Sequence, residues 1–145
     1  MAFRFSLATV LRFRESVEKR EELALQKTLL EMARAQREIE RITSEIAVAQ
    51  EARNRAMQNP LPASHIQGML NDIEAAAERR KKLLQTLTVL EHQHRLQTQK
   101  YQDAHRDRQM LSDMRTKKRD VYEQERARAT QKFLDDIFAA RAQRR

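Results

Sequence analysis

By length alone, the 145-residue chain would make one ordinary domain, but 34% charged residues, 5% aromatics and a single glycine argue against a thick core. Its 29 basic and 21 acidic residues leave a net charge of +8, which favours acidic protein faces, anionic lipid or nucleic acid without choosing among them. With no cysteine, disulfide frameworks and thiolate metal sites are excluded; no apolar run approaches the ~20 residues that span a bilayer.

Ala, Leu, Glu, Gln, Lys and Arg dominate, and these are strong helix formers. The expected fold is all-α: two long helices in an antiparallel coiled-coil hairpin, forming a single unit over residues 1–145. The uncharged stretch Phe5 to Leu11 is too short for a targeting segment and runs directly into Arg12 and Arg14. It is read as the first turns of a mature cytosolic helix.

The first arm is expected over residues 5–57. Phe3, Leu7, Val10, Leu11 and Val17 recur at helical spacing. From Leu25 the steps alternate between three and four through Thr28, Met32, Ala35, Ile39, Ile42, Ile46 and Ala49, the seam pattern of a coiled coil. The earlier set joins this register only after a one-residue slip near Ala24 and Leu25, so local unwinding is expected there.

A turn is expected over residues 58–63. Both prolines, Pro60 and Pro62, lie in it; each lacks a backbone N–H and biases the residue before it away from helix. Ser64 to Gln67 has the form of a capping box, so the second helix is expected over residues 64–140.

The second arm's seam reads Ile66, Met69, Ile73, Ala76, Arg80, Leu83, Leu87, Leu90, His94, Gln97, Tyr101, Ala104, Arg108 and Leu111. Its polar members are candidates for fixing register. If Met57 lies opposite Ser64, Val10 falls near Leu111, and roughly the last 25 residues project beyond the first arm. That overhang carries Phe133, Leu134, Ile137 and Phe138, with Lys132, Arg141, Arg144 and Arg145 nearby. An unmatched apolar stripe with basic neighbours is the form of a docking helix.

No catalytic, metal or cofactor site is expected. His92 and His94 stand two apart, on separate faces of a helix, and one glycine cannot build a phosphate loop.

The opening run from Phe3 to Arg14, two aromatics flanking an arginine and then a Val-Leu pair, resembles the FliJ family. So does the closing run from Arg126 to Phe138, where Gln131-Lys132 precedes Phe133, Leu134, Asp135, Asp136, Ile137 and Phe138. The family is the small coiled-coil stalk of the bacterial flagellar type III export apparatus, similar to the central stalk of rotary ATPases. The resemblance implies a non-enzymatic protein at the cytoplasmic face of the inner membrane. Its partners would be the hexameric export ATPase FliI (with FliH), the export gate FlhA and export chaperones.

On this chain the ATPase-ring role would fall to Lys132, Phe133, Leu134, Ile137, Phe138 and Arg141, supported by Phe3, Phe5, Leu7 and Leu11. Gate contact would fall to Ile42, Ile46, Ala49 and Arg53 with Met69, Ile73, Ala76 and Arg80, most of which are also seam positions. The protein is expected to be a monomer by itself. The competing reading is a generic basic coiled coil that oligomerises or binds nucleic acid. Acidic residues interspersed along both arms weigh against a nucleic-acid partner.

Overall fold

The computed structural model describes residues 2–144, which form a helical hairpin of α1 (Ala8–Ala56, 49 residues) and α2 (Ala63–Gln143, 81 residues). No strand occurs among the described residues. α1 begins three residues later than its apolar spacing predicts. Ser6 and Leu7 form a turn in which the Ala8 N–H donates to the Phe5 carbonyl.

α1 ends without any left-handed residue. The Gln58 and Asn59 amides donate three residues back, to Arg55 and Ala56, tightening the last turn. Pro60 then has no N–H with which to continue. At the other side of the turn, the Pro62 carbonyl accepts from the His65 N–H and the helix starts at Ala63. Ser64 therefore lies inside the first turn instead of capping it. The Gln67 side chain donates forward to Asn71 at 3.0 Å, so the capping box is not formed.

Two compact units divide the chain: unit 1 is Met1–Arg20 with Tyr101–Arg145, and unit 2 is Glu21–Lys100. In unit 2, Ile42, Ile46 and Ala76 form the core, with Ile73, Ala77 and Leu83 packed on it. In unit 1, Phe5, Leu11 and Ala104 are buried. Small residues at such depth let helix backbones approach closely, so each unit has a seam one side chain thick. Partner numbers fall along α2 as they rise along α1: Phe3 meets Tyr122, Arg14 meets Asp107, and, within unit 2, Glu21 meets Gln97. Both units are thus antiparallel within themselves. The Arg14–Asp107 pair lies four residues inward on each arm from the expected Val10–Leu111 level, so the register agrees.

Every predicted seam position of α2 from Ile66 to Leu111 is buried or half-buried. The slip predicted in α1 does not occur, and the helix is unbroken across Ala24 and Leu25. Steps of three and four run back from Leu25 through Glu21, Glu18, Arg14 and Leu11 to Leu7, all covered. Polar residues occupy the middle of that register, and an apolar-only count lost it.

Gly68 lies within α2, and a Cβ added there would meet nothing within 4 Å. Gly68→Ala is expected to stabilise the hairpin by about 0.5–1 kcal/mol, because alanine leaves fewer unfolded conformations to lose. A urea titration showing a lowered midpoint would contradict this.

Candidate functional site

The polar seam of unit 1 is the first cluster, and its α1 partners Arg14 and Glu18 were not among the seam positions expected from apolar spacing. Arg14 donates to Asp107 at 3.2 Å. Glu18 accepts from Arg108, and His105 Nδ1 lies 2.8 Å from the same carboxylate. Within unit 2, Gln97 donates to both the side chain and the backbone carbonyl of Glu21. Each polar side chain finds its partner in only one alignment of the arms, which is how such residues specify register. Of the polar α2 positions singled out in the sequence, Gln97 and Arg108 thus bond directly to α1.

The Arg108 hydrogen bond holds the Glu18 carboxyl below its ordinary value, against the opposing effect of partial burial; His105 adds to the lowering. A carboxylate with a depressed folded-state pKa stabilises fully above the unfolded value near 4.5 and loses that contribution as pH falls through the folded value. Glu18→Gln is therefore expected to cost about 1 kcal/mol at pH 7. The deficit should shrink stepwise below pH 4.5 in urea midpoints; a deficit independent of pH would show that charge is not the cause.

The end of α2 is the second cluster. From Glu123 to Arg144 every residue is exposed except Ile137, which is half-covered. Phe133 and Phe138 are each 64% exposed, and Leu134 is also exposed. At 3.6 residues per turn, Phe133, Leu134, Ile137 and Phe138 fall within an arc of about 140°. Arg141 and Arg144 continue that arc further along the helix, whereas Asp135 and Asp136 fall outside it. Asp135 is tied locally by the Gln131 amide at 2.9 Å. Lys132 projects away from the apolar arc, and Arg145 lies outside the described residues.

The N-terminal residues expected to support this end are placed differently. Phe5 and Leu11 are 8% and 4% exposed. Phe3, half-covered, has its ring centroid 5.6 Å from that of Tyr122, and Lys118 sits 5.8 Å from the centre of the Phe5 ring. Leu7 is half-covered. Phe3 and Phe5 thus meet α2, and the burial of Phe5 and Leu11 leaves neither free to act as an exposed anchor, whereas Phe3 and Leu7 keep part of their surface.

On the hinge side, Ile42, Ile46 and Ala76 form the core of unit 2 and cannot also present themselves outward. Ala49, Arg53, Met69, Ile73 and Arg80 are only half-covered. Arg53 Nε is buried with no hydrogen-bond partner. On the outer face Arg41 bridges Glu38 and Glu45. Its pKa is raised chiefly by the hydrogen bond to Glu38, the behaviour of a solvated helix-supporting cluster.

No group of three or more potential metal ligands occurs among the described residues. No helix among them is long and apolar enough to cross a membrane. What the geometry defines is a protein of the coiled-coil class, a helical hairpin with polar pairs across its seam and a largely exposed helical end. A family model described as the flagellar FliJ protein matches residues 3–145, and the chain belongs to that family, placing it in flagellar protein export. Neither a curated protein nor a solved structure matches the chain significantly.

Proposed function

We propose that this chain is the non-enzymatic stalk of the flagellar export apparatus, and that the end of α2 enters the ring of the hexameric export ATPase FliI, assembled with FliH. The exposed side chains of Phe133, Leu134 and Phe138, on one arc with the half-covered Ile137, carry this reading. Large apolar side chains left largely exposed on one helix face are anchors for a groove. Arg141 lies on the same arc and suits an acidic lining; Lys132 reaches towards a different wall of the bore.

The mechanism follows from asymmetry. A single helix inside a ring touches its subunits unequally, and only unequal contact can shift their nucleotide-binding equilibria. The half-covered edge of Ala49, Arg53, Met69, Ile73 and Arg80 serves the export gate FlhA, with Ile42, Ile46 and Ala76 holding that edge in shape. Export chaperones exchange on the same face. The gate contact in this reading implies a position at the cytoplasmic face of the inner membrane.

The test is stimulation of the cognate ATPase by the full chain and by a Phe133→Ser/Phe138→Ser variant. Undiminished stimulation would remove the role assigned to this end.

A further inference from the structure

We infer that an arginine-walled groove at the start of α1 binds an acidic peptide segment carrying one large apolar side chain. The groove, about 400 Å³ and open to solvent, is walled by Arg4, Arg12 and Arg115; Phe3 and Leu11 line it, and Glu15 is the one carboxylate among its lining residues. No hydrogen bond or ion pair to any described residue engages the three guanidinium groups. Elsewhere in unit 1, Arg14, Arg106, Arg108 and Arg119 each meet a carboxylate. Arg126, Arg128, Arg141 and Arg144 also lack a carboxylate partner among the described residues, but only Arg4, Arg12 and Arg115 wall a common groove, and three unmatched cations around one groove form a ready site for carboxylates.

Charge bookkeeping over the chain agrees. Unit 1 contains 17 Lys and Arg against 10 Asp and Glu, and unit 2 contains 12 against 11, so seven of the eight net positive charges belong to unit 1. The planar guanidinium fork matches a carboxylate in two parallel hydrogen bonds. The apolar lining sets the second requirement. Leu11 is already 4% exposed, so the floor is shallow and takes one side chain, not the length of an acyl tail. Stacked nucleobases are disfavoured because the Phe3 ring is engaged by Tyr122 and the Phe5 ring by Lys118.

The groove is distinct from the docking end: Arg115 and Phe133 are separated by about 27 Å along α2. The inference therefore goes beyond the ATPase reading, and its test contains no ATPase, so either can fail alone.

The probe is a fluorescein-labelled peptide with glutamates flanking a single leucine, followed by anisotropy with the full chain. Binding is expected to weaken about tenfold in Arg4→Gln/Arg12→Gln/Arg115→Gln, and to weaken steeply between about 0.05 M and about 0.5 M salt. Arg95→Gln/Arg126→Gln/Arg128→Gln removes the same charge from the chain away from the groove, and should change affinity less than about threefold. Circular dichroism checks that each variant folds; Arg115→Glu alone, at an exposed site on α2, replaces the triple variant should that one unfold. Equal losses in the two triple variants would overturn the inference, since net charge alone would then explain binding. Stronger displacement of the probe by phosphatidylglycerol vesicles than by unlabelled peptide would also overturn it, in favour of a lipid surface.

Discussion

Ile42→Ala is expected to destabilise the hairpin by about 3 kcal/mol, lowering the thermal midpoint by about 10 °C in a protein of this size. Ile42 is the largest fully buried side chain, 2% exposed, and it packs with Ile46 and Ala76. A seam one side chain thick has no second layer to relax into the space, so the lost contacts are not recovered. Alanine's better helix propensity returns only a few tenths of a kcal/mol. Val48→Ala, on the same helix but 70% exposed, should change stability by less than about 0.5 kcal/mol. A small loss at Ile42, comparable with that at Val48, would show that the seam does not hold unit 2 together. The same experiment decides what Ile42 does, because a residue kept for the export gate would be dispensable for folding.

Phe133→Ser/Phe138→Ser is expected to leave the thermal midpoint within about 2 °C of the wild type, since both side chains are mostly exposed. Affinity for the cognate export ATPase should nevertheless fall at least about thirtyfold, the scale of losing a buried aromatic anchor of ~2 kcal/mol. Stimulated hydrolysis should fall with it when the two proteins are mixed near their wild-type dissociation constant. Leu134→Ser supplies an intermediate case: it is exposed and on the same arc, but smaller. A large fall in thermal stability would mean that the tip packs on its own chain. Full affinity with full stability would mean that the socket grips another part of the molecule.

Most of the architecture could be read from the chain because periodicity and breakers are local signals. Leu25 to Ala49 and Ile66 to Leu111 declare their faces within a few residues, and Pro60 with Pro62 ends a helix whatever surrounds it. The unpaired tip was legible for a related reason: arm lengths follow from residue counts, and unequal arms leave an excess. The errors were also physical in origin. Arg14, Glu18 and Glu21 look like surface charge until Asp107, Arg108 and Gln97 stand across from them. The capping box at Ser64 was a valid local option that lost when the helix began one residue earlier, at Ala63.

The N-terminal residues show the limit most clearly. Phe3, Phe5 and Leu11 belong to a terminal pattern that by itself suits an outside partner as well as an internal one. Their burial depends on Lys118 and Tyr122, more than a hundred residues away in the chain. The groove of Arg4, Arg12 and Arg115 has the same character, since Arg115 gains meaning only from the turns it faces.

Sequence alone determined that this protein is two helices joined at a proline turn, which face is apolar over Leu25 to Ala49 and Ile66 to Leu111, and that the second helix is the longer. Each of these is set by backbone chemistry and the 3.6-residue repeat within a single segment. Tertiary structure decided which charges are seam partners, which aromatics are already occupied and which cations are left unmatched. Those outcomes depend on side chains meeting across two arms, and no property of one arm contains them.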